Sequence, residues 1–191
     1  AGIGAVDILR ITMFIWMSWI VGLAALDAAA SCAYPHVLDA LHGGRLPNLR
    51  WFGVPLAFAI AAYLGMAIRG MRTLIFRGMK WPLPGIRLAL GQIAVVGADL
   101  VLSAAILYLL LPAAADVSFP EFVAMFVLAI TLALFSCVPG GLGVFEVLML
   151  HLLKGSLAAP DILGALVVFR TLYYLLPLAI GSAVLGLNEV R

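Results

Sequence analysis

Val138-Pro-Gly-Gly-Leu-Gly-Val-Phe-Glu146, read together with Val168-Phe-Arg-Thr-Leu-Tyr-Tyr-Leu-Leu-Pro177, decides how this chain is organised. The first stretch interrupts a very apolar sequence with a proline and three glycines, then places a carboxylate. The second carries an arginine inside a hydrophobic run long enough to cross a bilayer. A break in a membrane helix leaves peptide groups without intrahelical partners, which is tolerated only where protein or a water-filled cavity satisfies them. Ionisable groups at membrane depth also need partners, and they mark function by default. The two segments therefore form the centre of the molecule, with the other helices as a wall around them.

Working outward, the 191 residues are 65% hydrophobic and 10% charged, with a mean hydropathy of +1.20. Soluble domains carry about 25% charged residues, so the composition is that of an integral membrane protein. Apolar segments of about 20 residues recur, which predicts an all-α polytopic helical bundle rather than a barrel of short alternating strands. The net charge of +2 gives no reason to expect nucleic acid as a partner. Cys32 and Cys137 lack metal-ligand spacing and read as two small apolar residues in helix packing. His36 and His42 on a surface loop make no metal site. No metal or cofactor is expected. The chain opens Ala1-Gly-Ile-Gly4 without a methionine and reads as a piece of something longer. Its first apolar run is too long for a signal-peptide core.

In chain order, the first helix is expected from about Val6 to Ala30, with Trp16 and Trp19 packing on neighbours and Asp27 near an interface. A polar connection over 33–50 holds a short amphipathic helix from Pro35 to Leu41, ended by Gly43-Gly44, with Pro47 closing the loop. The second helix runs from about Leu49 to Ile68, entered through Trp51. Residues 69–87 contain Arg69, Arg72, Arg77, Lys80 and Arg87 and no acid, which makes this loop cytoplasmic by the positive-inside rule. Such a loop suits anionic headgroups, or serves as a topology determinant alone. The third helix, from about Gly85 to Leu111, places Gln92, Asp99 and Ser103 on one face. A bare carboxylate at mid-span costs several kcal/mol, so Asp99 is expected to face the bundle interior, as a headgroup ligand or a packing acid. Ser118 reads as an N-cap, with Pro120 and Glu121 opening a fourth helix that ends at Cys137.

The helix predicted from Gly141 to about Leu153 covers under ~20 Å, too short for the roughly 30 Å core. It reads as a half-helix or re-entrant segment whose unpaired N–H groups suit an anion. The competing reading is a simple kinked hairpin in which Glu146 satisfies the dipole. His151 points roughly 140° away from Glu146, so the two form no one-face pair. The last helix is expected from about Pro160 to Leu187, with Arg170, Tyr173, Tyr174, Pro177 and Gly181 on one face. Pro177 should kink it and free a carbonyl near Tyr173. Arg170 is expected to face either Glu146, in a structural bridge, or a lipid phosphate.

Pro139-Gly-Gly-Leu-Gly-Val-Phe-Glu146, followed by Phe169-Arg170 and Tyr173-Tyr174-Leu-Leu-Pro177, resembles the lysylphosphatidylglycerol synthase/flippase transmembrane family, also called the multiple peptide resistance factor. The opening Ala1 to Arg10 resembles a helix start inside that domain. The resemblance implies a multi-pass protein of the bacterial inner membrane that moves lysyl- or alanyl-phosphatidylglycerol to the outer leaflet. Surface negative charge falls, and cationic antimicrobial peptides bind less. It implies that residues 1–191 are part of one flippase-type transmembrane domain, without the family's first helices or its soluble transferase domain. Full-length relatives carry that domain, which takes lysine or alanine from aminoacyl-tRNA; this chain alone is then not the enzyme. On these positions, Gly140, Gly141 and Gly143 would shape the broken helix, Glu146 and Arg170 would be its charged lining, and Tyr173 and Tyr174 would border the headgroup. Asp99 is added from periodicity as a partner for the lipid's amino group.

Three functions stay open at this point. The first is a flippase domain, in which Arg170 and the half-helix take the phosphate and the acids take the ammonium. No G-x-x-x-x-G-K-[ST] loop is present to couple it to a nucleotide. The second is a membrane module presenting phosphatidylglycerol to a cytoplasmic transferase domain of the parent chain. The third is a small-solute or ion transporter sharing the broken-helix device. A homodimer is compatible with each.

Overall fold

The computed structural model describes residues 4–42, 53–71, 73–76, 79–112 and 116–189. The fold is all-α, with a small β-hairpin in one connection. Among the described residues, three helical stretches are long and apolar enough to cross a membrane: Ile11–Ala33, Ile86–Leu110 and Ala159–Gly186. The chain divides into two compact units, Ala1–Leu100 and Val101–Arg191.

In the first unit, α1 (Ala5–Ala33) runs three residues past its expected end. Pro35 stops it, because a proline drives the residue before it out of the helical region; Tyr34 has φ −129° and ψ 62°. The same proline then opens α2 (Pro35–His42), which buries Val37 and Leu38 and leaves His36 and Ala40 exposed, as an amphipathic segment should. The readings of Gly43-Gly44, Pro47 and Trp51 fall outside the described residues. α3 (Gly53–Ile68) packs on α1. Gly53 makes this possible: a Cβ there would lie 2.6 Å from Ser31 Cβ. Gly22 does the same against α4 (Ile86–Leu110), where a Cβ would lie 2.4 Å from Val96 Cβ. Small residues at such crossings are how membrane helices approach closely.

α3 ends in a Schellman motif. Gly70, at φ +70°, donates to Ala67 O, and Met71 N–H donates to Met66 O. The basic connection then forms β1 (Thr73–Phe76) and β2 (Met79–Pro82), paired antiparallel. This strand pairing was not foreseen from the sequence.

Two expectations for this unit are corrected. Trp16 is 57% exposed rather than packed. Asp27 is 4% exposed, inside the packing rather than at an interface. Cys32 is exposed, with its Sγ beside Gly53 at the α1–α3 crossing, and Cys137 in the other unit is exposed as well.

In the second unit, Tyr108 Oη donates to Val117 O at 3.0 Å and packs against Phe119 and Phe122, fixing the entry into α5 (Phe119–Phe135). Ser118 occupies the N-cap position without a side-chain cap bond. α5 buries Phe122, Phe126, Val127 and Ala129 almost completely. After a 3-10 turn at Pro139–Gly141, α6 (Val144–Leu153) packs along α5, and α7 (Ala159–Arg170) packs on α6. At ten residues, about 15 Å, α6 is too short to cross a bilayer by itself. Phe126, Phe145 and Phe169, one from each helix, meet at centroid distances of 5.4–6.3 Å. Offset and edge contacts of this kind add to the area that the rings bury. α7 passes through a π turn at Thr171–Leu175 into α8 (Leu176–Glu189).

Candidate functional site

The site is built on the glycine break. α5 ends with Ser136 N–H bonded to Leu132 O, and Cys137 follows in the left-handed region at φ +55°. Gly140, Gly141 and Gly143 also have positive φ, of +65°, +60° and +82°. For an L-residue each such conformation costs ~1–2 kcal/mol, and for glycine it costs nothing steric. Gly141 is constrained twice, because a Cβ there would lie 2.9 Å from Ala133 Cβ on α5. The glycines therefore set both the path of the turn and the closeness of α6 to α5.

Glu146 sits at N3 of α6 and reaches back, its Oε2 accepting the Gly143 N–H at 2.8 Å. This is the carboxylate half of a capping box; a glycine N-cap has no side chain to return the second bond. The other oxygen, Oε1, pairs with Arg170 Nε from the end of α7. The same guanidinium points its two terminal nitrogens at Gly140 O and Gly141 O, each at 3.4 Å. It also lies over the Tyr174 ring, 5.7 Å from the centroid, within cation–π range. The two charged side chains are each 20% exposed, so the pair is sheltered and still reachable.

The sequence left Arg170 a choice of Glu146 or a lipid phosphate, and this structure pairs it with Glu146. One fork thus satisfies a carboxylate and two carbonyls that the broken helix leaves without intrahelical donors, matching its planar, multi-donor geometry.

Below the pair, Tyr173 stacks on Phe169 at 5.4 Å and meets Tyr174 edge-on at 5.1 Å. The two tyrosines differ in setting: Tyr173 is half-buried on the aromatic core, and Tyr174 is exposed. Both lie in the π turn, where Leu176 N–H bonds to Thr171 O. Pro177 is the cause. It has no N–H for the Tyr173 carbonyl, and its ring would press on that carbonyl in an α-helix. Widening by one residue is the form the expected kink takes, and such π turns recur at functional sites.

Asp99, in the first unit, is exposed on α4, whereas Gln92 and Ser103 on the same face are 8% and 4% exposed. Periodicity placed the three residues on one face correctly, but a helix face is covered level by level, and at Asp99 the expected burial does not occur.

Sequence reasoning noted Gln92 and missed its partners. Tyr63 Oη donates to Gln92 Oε1 at 2.9 Å, Gln92 Nε2 donates to Ser18 Oγ at 2.7 Å, and Ser18 Oγ donates to Phe14 O at 2.7 Å. The chain of bonds joins α4, α3 and α1. Three isolated polar residues in three apolar runs were its only signal.

His151 Nδ1 lies 3.3 Å from Lys154 Nζ at the end of α6. Among the described residues no group of three or more His, Cys, Asp or Glu is arranged to hold a metal.

No protein-family model matches the chain. It is 37% identical over 159 residues to an uncharacterized protein of Synechocystis sp., an alignment covering 81% of this chain and 49% of the relative. It is 30% identical over 133 residues to the inner membrane protein YbhN of Escherichia coli, covering 69% of this chain and 41% of that protein. The chain thus spans less than half the length of each of these curated relatives. With three helical stretches able to cross a bilayer and a sheltered charge pair at a broken helix, the chain is a helical membrane protein, similar over most of its length to a known membrane protein.

Proposed function

We propose that the unit around the glycine break handles the headgroup of a phospholipid and passes it between leaflets. The cargo is aminoacylated phosphatidylglycerol, lysyl or alanyl, in a bacterial inner membrane, and its outward movement lowers surface negative charge and binding of cationic peptides. The observation that carries this reading is the Glu146–Arg170 pair held at a turn of positive-φ glycines. A headgroup bearing both a phosphate and an ammonium matches the two halves of that pair. Arg170 exchanges its carboxylate for the phosphate, and Glu146 exchanges its guanidinium for the ammonium. Neither charge is left alone at any stage, which matters because an uncompensated buried charge costs about 3–5 kcal/mol. The exposed Tyr174 offers a π face to the ammonium. The π turn supplies a backbone already out of α geometry at the point that must yield. Similarity to an Escherichia coli inner membrane protein supports the location.

The test is made in cells carrying the full-length protein, with a membrane-impermeant amine reagent reading outer-leaflet aminoacyl lipid. Glu146→Ala and Arg170→Ala should each lower the labelled fraction at least about tenfold while total aminoacyl lipid is unchanged. Unchanged labelling at normal protein level refutes the proposal. A fall in total lipid instead favours a module that presents phosphatidylglycerol to a transferase.

A second reading is favoured by the contacts of Arg170 with Gly140 O and Gly141 O: the pair is a clamp for the broken helix and touches no cargo. The double variant Glu146→Gln with Arg170→Gln keeps hydrogen bonding and removes both charges. A clamp predicts near-normal lipid movement for it, and ion exchange predicts loss.

A further inference from the structure

The glycine turn offers Arg170 more acceptors than a carboxylate pair needs. The guanidinium donates through Nε to Glu146 Oε1, and through its two terminal nitrogens to Gly140 O and Gly141 O, each at 3.4 Å. One cation therefore sits among three oxygens, supplied by the turn and by the first turn of the helix that follows it. Glu146 Oε2 is fixed separately on the Gly143 N–H at 2.8 Å, which keeps the carboxylate in place if Arg170 moves away. The carbonyls are set by the backbone. Gly140 and Gly141 both have positive φ, and Gly141 is held against α5, where a Cβ would lie 2.9 Å from Ala133 Cβ.

These groups select cations differently. A carboxylate attracts any cation. The Tyr174 ring, 5.7 Å from the guanidinium carbon, also accepts any cation, quaternary ammonium included. A neutral carbonyl needs an N–H or O–H donor, and a donor lost leaves its acceptor unpaired. A primary ammonium carries three N–H donors on one centre, one for each oxygen; a trimethylammonium carries none. Ring and oxygens thus rank these two cations in opposite order. The oxygens prevail, because Glu146 Oε1 and Gly141 O lie in part-buried bonds, whereas Tyr174 is exposed and cation–π attraction is weakest at exposed rings.

We infer that Glu146 Oε1, Gly140 O and Gly141 O form a seat for a primary ammonium, filled at rest by the Arg170 guanidinium. The seat rests on the reading of this turn as a headgroup site, and it names what the site reads: N–H donors on the cation, not the amino acid that carries it. The ligand class then widens to phospholipids that combine a phosphate with a primary ammonium. Phosphatidylethanolamine belongs to it beside the lysyl and alanyl esters. Phosphatidylcholine is refused for want of donors. Unmodified phosphatidylglycerol is refused for want of a positive charge to replace the guanidinium at Glu146.

The test reads binding rather than movement, on the full-length protein in a maltoside detergent, from the rise in unfolding temperature with added dioctanoyl lipids. Phosphatidylethanolamine and its N-methyl, N,N-dimethyl and trimethyl forms, the last being phosphatidylcholine, keep their positive charge and lose one N–H at each step. Apparent affinity should fall at every step, by about tenfold or more over the series, as it does where a site hydrogen-bonds the group removed. Phosphatidylglycerol should bind as weakly as the trimethyl lipid. Tyr174→Leu should keep the order of the series. Glu146→Gln can still cap Gly143 and accept from Arg170, and it should flatten the series. A flat series in the unaltered protein, or one that rises toward phosphatidylcholine, overturns the seat, because the site then reads charge or the ring alone. So does an order that vanishes in Tyr174→Leu or persists in Glu146→Gln. The expected order, in a protein whose outer-leaflet labelling does not depend on Glu146 and Arg170, supports the seat and refutes leaflet movement. Labelling that depends on both residues, with a flat series, refutes the seat alone.

Discussion

The unit Ala1–Leu100 joins its helices with uncharged groups, through the relay Tyr63–Gln92–Ser18–Phe14, while the unit Val101–Arg191 joins its own through Glu146 and Arg170. In the relay Tyr63, Gln92 and Ser18 each donate to a neutral acceptor, and no charge is there for a ligand to replace. In the pair each charge is half of what a ligand bearing both signs would supply. A neutral relay among apolar helices is a fastener, and a sheltered ion pair at a broken helix is a place where partners can be traded. The glycines differ in the same sense. Gly22 and Gly53 let helices approach at ordinary helical angles, while Gly140, Gly141 and Gly143 bend the chain itself.

This contrast can be broken most directly at Arg170. Arg170→Ala strands Glu146 and two carbonyls together, so it should cost about 3–5 kcal/mol of stability, the effect of halving a buried pair. Unfolding in lipid or detergent measures it, and a double-mutant cycle with Glu146→Gln should show strong coupling. A loss no larger than that of a surface substitution would mean that the pair is solvated and the two units are alike.

Gly141→Ala should cost about 2–4 kcal/mol, combining left-handed strain with overpacking against Ala133. Adding Ala133→Gly should recover the overpacking part and leave the strain. Full recovery would show that the turn tolerates an L-residue and is no special break.

In the other unit, Gln92→Leu should cost about 1–2 kcal/mol, the scale of interhelical hydrogen bonds in membranes. Lipid movement should be unaffected at equal protein level, and a specific transport defect would move the relay from fastener to pathway. The smallest effect has the opposite sign. Cys137→Gly removes a side chain from the left-handed region and should raise stability by about 1 kcal/mol.

Several features were legible from residue order alone because their causes are local. Pro35 opens a short helix, and Pro177 forces the backbone around Tyr173 out of α geometry. The glycine string announced a break, and α6 ends at Leu153 as expected while starting at Val144 rather than at Gly141. The facing of Glu146 and Arg170 was also within reach, since two charges in apolar runs must find each other or water.

Other features depended on which elements pack. Whether Asp99 or Asp27 is covered depends on neighbours far along the chain, and both expectations failed. The sequence by itself determined that the chain is helical, lives in a membrane and breaks at residues 138–143, because hydropathy, proline and glycine act on the backbone within a turn or two. Only the tertiary structure decided that Arg170 spends its fork on Glu146, Gly140 O and Gly141 O, and that Gln92 bonds Tyr63 and Ser18. Such bonds span tens of residues, and their strength depends on a separation in space that no local rule of sequence contains.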